Sequence, residues 1–211
     1  MPGDSERSRT SERSTERAAG AAAAGTYWYA DVVDDIAGTE SKSWESASGG
    51  KTQTADGTTA DTPARQWQFG QETLTWDQLM SLPTNSTDLA NSIAQAVAAP
   101  ATQGVTPLPP NDRSFYTAVV LMSSPAPQAV QEAAYQVALS VSGVKDVGAA
   151  TDKLGRPGEE LQYTGAGSIG NWTVIVDSGT GSLLEERVTF PGGGHEIWLT
   201  VRATGFTNTA G

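Results

Sequence analysis

Tryptophan and tyrosine are unevenly distributed along the chain, and this limits which part of it can build a core. All six Trp and all five Tyr residues lie between Tyr27 and Trp198. Each of these side chains buries a large apolar area when it packs. The first 17 residues are mostly Ser, Thr, Glu and Arg, a composition that cannot offset the entropy of ordering. We therefore predict a disordered polar tail over residues 1–25 and a single folded domain over residues 26–207.

The charge of the chain excludes several classes of partner. The net charge is −11, and the acidic and basic side chains of the tail balance, so the folded part carries all of it. An acidic surface repels phosphate backbones and anionic lipid surfaces. No run of 18 apolar residues is present, so we also expect no membrane span and, in the chain as written, no export signal. The acidic charge of the folded part excludes nucleic acid as a partner.

The residues that most often carry chemistry are scarce. The chain has no Cys and a single His, His195, which follows a run of three glycines. Disulfides, thiol nucleophiles and Cys-based metal sites are therefore excluded. We predict that His195 is an exposed residue at a loop edge. We expect no catalytic residue, no cofactor and no metal, and predict that the protein is not an enzyme.

The N-terminal third of the folded part has the pattern of short strands. Residues 26–33 are dense in aromatic and β-branched side chains, and residues 41–47 have the pattern of a hairpin partner. Residues 48–62 contain no large apolar side chain and several glycines, which predicts a long mobile loop. Residues 66–69 then place two aromatic side chains on one face of a short strand.

The middle of the chain is predicted to be helical. A short helix over residues 75–82 is stopped by Pro83, and a second helix ends near Pro100. A Pro-rich connector follows over about residues 100–111. Asp112 is expected to cap a third helix, and a fourth begins near Pro125. Apolar residues recur at helical spacing in the last three.

The C-terminal part has the pattern of an antiparallel meander. Five stretches have strand character, with a turn every 10–15 residues, and apolar residues alternate in the third and the last of them. They cover residues 144–149, 160–163, 171–177, 183–190 and 195–206. Together, the elements predict an α+β fold, a curved antiparallel sheet resembling a half-barrel, with three or four helices packed on one face.

Three motifs are compatible with a chemical function, but each is also explained by an ordinary structural role. Residues 165–170 match G-x-G-x-x-G, but a strand pattern follows where a dinucleotide site needs a helix, so we predict a hairpin loop. The acidic residues at 31, 34 and 35 suit Ca²⁺ in number, yet a solvated strand end explains them as well. The acidic pairs at 159–160 and 185–186 leave open a carboxylate-based hydrolase. Adjacent residues of a strand point to opposite faces, so we expect each pair to be mainly solvated, with one member inward.

The aromatic excess is the feature with the clearest functional interest. Core packing accounts for most of these side chains. The alternative is a groove for a lipid or a peptide. The candidate groove residues are Tyr27, Trp28, Tyr29, Trp172 and Trp198.

Several stretches in a characteristic order resemble one protein family. They are Tyr27-Trp28-Tyr29, residues 79–84, 124–127 and 141–144, Leu154-Gly155-Arg156-Pro157-Gly158, and residues 177–184. In this order they are similar to the extracytoplasmic domain of an uncharacterised family of actinobacterial envelope proteins, often encoded near extracytoplasmic-function sigma factors. Members usually carry a transmembrane helix before this domain, whereas this chain has a polar tail there. Its fold is expected to resemble the half-barrel of periplasmic lipoprotein carriers and sigma-factor regulators.

The resemblance implies a function outside the cytoplasm. The leading hypothesis is a non-enzymatic envelope module that senses or binds a protein, such as an anti-sigma-type partner, within a sigma-factor signalling system. The alternative is a carrier or binder of a lipid or another apolar ligand between sheet and helices. A filled core favours the first and a large apolar cavity the second.

Overall fold

A nine-stranded antiparallel sheet is the largest element of the structure, a computed structural model that describes residues 27–100, 108–166, 170–192 and 196–211. The strand order is β4-β3-β2-β1-β11-β10-β9-β8-β7, and β5 and β6 form a separate hairpin. The sheet is open, since β4 and β7 are both edges. The strands are β1 Tyr27–Asp34, β2 Thr39–Ser46, β3 Gly49–Thr54, β4 Thr59–Thr62, β5 Trp67–Phe69, β6 Glu72–Leu74, β7 Val144–Thr151, β8 Pro157–Thr164, β9 Asn171–Asp177, β10 Ser182–Thr189 and β11 Glu196–Thr207.

Four helices lie between the two groups of strands in the chain. They are α1 Trp76–Met80, α2 Ser86–Ala98, α3 Pro110–Met122 and α4 Gln128–Ser140. Thr75 forms a capping box with Gln78 at the start of α1, and the side chain of Asn85 caps α2. None of these four described helices has the length and hydropathy that crossing a bilayer requires.

Helices and sheet share one filled core. Helix α3 packs on β10, and α4 packs on β7 and β10. Phe115 of α3 stacks on Tyr163 of β8 at 4.6 Å between ring centroids and meets the edge of Trp172 at 5.9 Å. These buried side chains belong to a single hydrophobic cluster that also includes Trp28. The predicted α+β class, with an antiparallel sheet and packed helices, is confirmed.

The strand register divides the sheet into two faces. Trp28 lies in the core, so the face it shares with the helices is called the helix-covered face. Side chains alternate along a strand, which places Tyr29 on the opposite, bare face. Tyr29 pairs there with Trp44 of β2, and their rings are 5.2 Å apart.

The prediction of a loop over residues 48–62 was wrong. This segment forms the hairpin β3–β4, which extends the sheet beyond β2. Gly57, at φ 84°, occupies its turn, where Asp56 Oδ1 accepts hydrogen bonds from Thr54 Oγ1 and Thr58 N. The strands are rich in Thr, a β-branched residue that suits a strand without needing a core. β3 is half-buried along most of its length and β4 is mostly exposed, and neither contains a large apolar residue that would mark it as a strand.

Asp112 does not cap α3 as predicted. The N-cap position is Pro109, which has no side chain able to accept a hydrogen bond, and Pro110 is the first helical residue. Asp112 is fully buried instead. Its Oδ1 accepts hydrogen bonds from the hydroxyl of Tyr163 at 2.6 Å and from the backbone N–H of Ala166 at 3.0 Å. The carboxylate thus joins the helix to β8 and to the segment after it.

Two bulges lie side by side in the centre of the sheet. Leu184 is the extra residue in β10 against β9, and Arg202 is the extra residue in β11 against β1. The guanidinium of Arg156, from the turn before β8, donates to the carbonyl oxygens of Leu184, Val201 and Arg202. It also pairs with the buried carboxylate of Asp152. One side chain therefore satisfies carbonyls at both irregularities.

Some predicted features lie outside the described residues. They are the disordered tail over residues 1–25, most of the connector over residues 100–111, and His195. The connector ends earlier than expected, because α3 already begins at Pro110.

Candidate functional site

The carboxyl group of Glu186 occupies an unusual position on the helix-covered face. Across the sheet, Glu186 lies between Val174 of β9 and Leu199 of β11. Val188, two residues further along β10, points to the same face and is buried in the core. Aliphatic side chains thus flank the carboxyl group on both neighbouring strands and along its own.

The bulge at Leu184 determines this orientation. Leu183 packs in the core, and strict alternation from it would direct Glu185 to the helix-covered face. The extra residue reverses the alternation, so that Glu185 faces the bare side and Glu186 the helices. Both residues therefore owe their environment to one irregularity of β10.

The two adjacent glutamates differ in how their charge is accommodated. Glu185 is buried, and its Oε2 accepts the backbone N–H of Lys153 at 2.8 Å. Glu186 is only partly covered as a residue, and among the described residues its carboxyl group has no hydrogen bond or ion pair. Burial of that group disfavours the charged form and raises the pKa of Glu186 to about 7.

Apolar side chains extend from Glu186 past the edge of the core. Val32 of β1 pairs with Val201 of β11, two residues beyond Leu199 on the same face. Val32 and Leu199 are half-buried and lie outside the core cluster formed by the described residues. We call Val32, Leu199, Val201 and Glu186 the Glu186 patch. Val201 is buried in it, Val32 and Leu199 are half-buried, and Glu186 supplies a carboxyl group at the border with the core.

The turn between β1 and β2 adds apolar surface at one end of this patch. Ile36 lies in the turn and is 54% exposed. The carboxylate of Asp34, which pairs across the sheet with Leu199, accepts the backbone N–H groups of Ile36 and Ala37 and so fixes the turn. An exposed isoleucine is thus held next to the Glu186 patch.

The predicted groove residues are divided between the two faces. Trp28 and Trp172 lie in the core, where Trp28 meets the edge of Phe206 at 5.1 Å. Tyr29 and Trp198 lie on the bare face, and Tyr27 lies at its margin. The structure does not bring the five residues together at one surface, and ligand binding by any of them stays a prediction.

Trp198 is held between two cations on the bare face. Its ring lies 3.8 Å from Arg187 Cζ and 4.4 Å from Lys153 Nζ. Lys153 Nζ also donates to Asp35 Oδ1 at 2.6 Å, and Thr200 Oγ1 donates to Asp35 Oδ2. Burial opposes the ionisation of Asp35, but these hydrogen bonds outweigh it and lower its pKa. The arrangement joins two turns to β11 and has the character of a structural contact.

Tyr27 lines a cleft of about 400 Å³ beside the hairpin β3–β4. Lys51 and Asp61 contribute charges of opposite sign, and Gly49 and Gly50 form one wall. A second cleft, of about 360 Å³, lies between α4 and the turn that joins β9 to β10. Tyr135 and Glu132 line it with small polar side chains. Both clefts are polar, unlike the Glu186 patch.

The acidic groups considered for Ca²⁺ or for hydrolysis do not converge. Asp31 accepts from the hydroxyl of Tyr29, while Asp34 holds a turn and Asp35 pairs with Lys153. Among the described residues, no group of three or more His, Asp or Glu side chains is placed to hold a metal ion. The expected placement of Glu185 and Glu186 on opposite faces is confirmed, whereas Glu185 is buried and not solvated.

The glycine-rich stretch at 165–170 lies between two strands. Residues 167–169 fall outside the described part, but β8 ends at Thr164 and β9 begins at Asn171. A strand therefore follows the last glycine, as predicted, where a dinucleotide site needs a helix N-terminus. Gly165 N donates to the carbonyl of Gly170 at 3.1 Å, which closes the hairpin.

Comparisons with known proteins place the chain near a few solved structures. No protein-family model matches it, and neither does any curated protein. An uncharacterised conserved protein from Thermus thermophilus matches with a TM-score of 0.38 and 9% identity over 97% of this chain and 90% of that one. A crystal structure of MucB matches with a TM-score of 0.38 and 12% identity over 93% of this chain and 58% of that one.

A complex of Pseudomonas aeruginosa MucA and MucB is a third match. Its TM-score is 0.38 and its identity 14%, over 94% of this chain and 57% of that one. The chain thus spans a little over half the length of the MucB chains that it matches. At these TM-scores, the likeness supports no conclusion about function.

Proposed function

We propose that this chain is a non-enzymatic, extracytoplasmic module that binds a protein partner through the Glu186 patch and the exposed turn next to it. One observation carries the proposal: apolar side chains of the helix-covered face continue past the edge of a filled core. Val32, Leu199 and Ile36 remain half-buried or exposed there. Apolar surface of this kind, bordered by polar residues, is typical of a protein interaction site.

The filled core favours a protein partner over an enclosed apolar ligand. The large side chains between sheet and helices, such as Phe115, Leu121 and Val174, have no exposed surface. They form one cluster with the aromatic residues of β8 and β9. A carrier needs space of several hundred Å³ lined by apolar groups. The space between α3, α4 and these strands is occupied by the protein's own side chains.

The bare face is less suited to a partner. Several of its charges are already paired, since Arg202 and Lys42 both contact Glu40, and Lys153 contacts Asp35. Displacing such pairs costs the hydrogen bonds they make. The location outside the cytoplasm and the link to sigma-factor signalling rest on sequence resemblance. The MucA and MucB complex shows a protein partner for MucB, but the proposal here rests on this chain's own surface.

Photo-crosslinking in a native host tests the proposed surface. A photoreactive phenylalanine analogue at Leu199 is expected to give a discrete adduct of protein size. The same residue at Gln162, which is exposed on the bare face, is the matched control and is expected to give none. Equal labelling at both positions, or none at Leu199, contradicts the proposal.

Native mass spectrometry of the freshly purified protein distinguishes a protein-binding module from a carrier of an apolar ligand. A protein-binding module is expected to show the mass of the chain alone. A reproducible extra mass of lipid size identifies a carrier of an apolar ligand. Uptake of a fluorescent apolar probe gives the same distinction in solution.

A further inference from the structure

Glu186 carries a carboxylate for which the described residues supply no counter-charge. Removing a charged group from water is unfavourable unless it is paired or hydrogen-bonded. Its neighbours Val174, Leu199 and Val188 provide neither a donor nor a positive charge. Glu186 is therefore an ionisable group without a partner among the described residues, at the border of the core.

Two buried carboxylates have partners and can be compared with that of Glu186. The carboxylate of Glu185, one residue earlier, receives the backbone N–H of Lys153, and that of Asp152 is paired with Arg156. Both are buried and satisfied. Glu186 is the opposite case, a carboxylate in apolar surroundings that remains partly open to the outside. Its position suits an acceptor for a group that arrives from outside.

We infer that Glu186 is the charge-recognition residue of the Glu186 patch, where it accepts a hydrogen-bonded ion pair from a lysine or arginine side chain of the partner protein. This inference rests on the proposed function and specifies the chemistry of the partner. The basic side chain reaches Glu186 while apolar residues on either side of it contact the half-buried Val32 and Leu199. The partner segment is therefore basic at one position and apolar around it.

Charge complementarity supports this occupant. A carboxylate bordered by aliphatic groups favours a cation with apolar neighbours and disfavours an anionic lipid headgroup or a nucleic acid. The net charge of −11 attracts basic partners at long range. An ion pair that becomes buried on binding also gives specificity, since a neutral residue in its place leaves Glu186 covered without a partner.

Selection of displayed peptides tests the inference without knowledge of the natural partner. Random twelve-residue peptides are selected on the wild-type protein, and the enriched clones are then measured against Glu186→Gln and Glu160→Gln. Both variants remove one negative charge, but Glu160 lies on the bare face. Circular dichroism verifies that each variant is folded.

We expect the enriched peptides to share one Lys or Arg with apolar neighbours. Glu186→Gln is expected to weaken their binding by about tenfold or more, and Glu160→Gln by less than about twofold. Replacing the shared basic residue by norleucine is expected to weaken binding to the wild type and to abolish the difference between wild type and Glu186→Gln.

The outcomes separate this inference from the proposed function. Competition between the peptides and a loss of affinity with Leu199→Ser would support the protein-binding surface. If these peptides also bind Glu186→Gln as well as wild type, the role of Glu186 is overturned. Enrichment without a basic residue also overturns it. Failure to enrich any peptide, together with binding of the protein to anionic vesicles, overturns both.

Discussion

The hydroxyl of Tyr163 in β8 donates a hydrogen bond of 2.6 Å to Oδ1 of Asp112 in α3. Both side chains are buried, and the bond crosses the interface between sheet and helices. Burial and the neighbouring carboxylate raise the pKa of Tyr163 well above its usual range. The hydroxyl therefore stays protonated as a donor, and the carboxylate stays satisfied.

Removal of this hydroxyl is expected to destabilise the fold. Tyr163→Phe takes a donor from a buried carboxylate, which costs about 1–3 kcal/mol of the free energy of unfolding. Urea denaturation measures the change. Tyr116→Phe is the matched control, because the ring of Tyr116 also packs on Trp172 but its hydroxyl has no hydrogen bond among the described residues. A loss as large in the control as in Tyr163→Phe would show that the bond to Asp112 is unimportant.

Glu186 is expected to make stability depend on pH. Its pKa rises from about 4.5 to about 7 on folding, so between these values the folded state binds more protons than the unfolded state. The free energy of unfolding therefore decreases as pH rises through this range, by on the order of 3 kcal/mol at most. Below pH 4.5 both states are protonated, and this contribution no longer varies.

Urea denaturation of wild type and Glu186→Gln at pH 5 and pH 8 measures this contribution. The variant is expected to lose the decrease between the two pH values and to be the more stable of the two proteins at pH 8. Glu160→Gln is expected to keep the wild-type dependence. Parallel curves for wild type and Glu186→Gln would exclude a raised pKa at this residue.

The aromatic residues at the start of β1 are expected to differ in their contribution to stability. Trp28 is 8% exposed and packs in the core, so Trp28→Ala is expected to cost about 3–5 kcal/mol. Tyr27 is half-buried at the margin of the bare face, and Tyr27→Ala is expected to cost about 1 kcal/mol. Thermal or chemical unfolding compares them. Similar losses would mean that the two faces of β1 are equally important for packing.

Gly181 allows the turn between β9 and β10 to fit under α4. Its φ is 69°, and a Cβ there would collide with the backbone of Gln131 and Glu132. Gly181→Ala is expected to cost about 2–4 kcal/mol, through backbone strain and overpacking together. Gly57→Ala has a similar φ of 84° but open space around it, so it is expected to cost only about 1 kcal/mol. Equal unfolding midpoints for the two variants would show that the contact with α4 is dispensable.

Sequence pattern predicts an element well where one face is buried. In β9, Trp172, Val174 and Val176 take alternate positions and lie in the core, and the structure places this strand over the range that the pattern indicated. The hairpin β3–β4 has no such pattern, because it contains no large apolar residue and contributes none to the core. Its turn is formed by Asp56 and Gly57. Asp and Gly are equally common in irregular loops, so these two residues alone do not indicate a hairpin.

The Glu186 patch was only partly predictable. Adjacency alone indicates that Glu185 and Glu186 face opposite sides. Which of them faces the helices depends on the bulge at Leu184, and a local sequence pattern does not distinguish an extra residue from a regular one. The apolar neighbours of Glu186 come from β9 and β11, so they become visible only through the register of the sheet.

The neighbouring bulges at Leu184 and Arg202 also determine the angle between two halves of the sheet. A bulge bends its strand and increases the local twist, and here two adjacent strands bend at the same level, between the part under the helices and the part that extends to β4. Arg156 joins both bends through one planar guanidinium. Arg156 lies in the turn between β7 and β8, so a turn of the helix-covered half helps to set the orientation of β1 to β4 relative to the helices. A lysine at this position has one compact ammonium group and would not bridge both bulges in this way, so the angle between the two halves of the sheet would be less restrained.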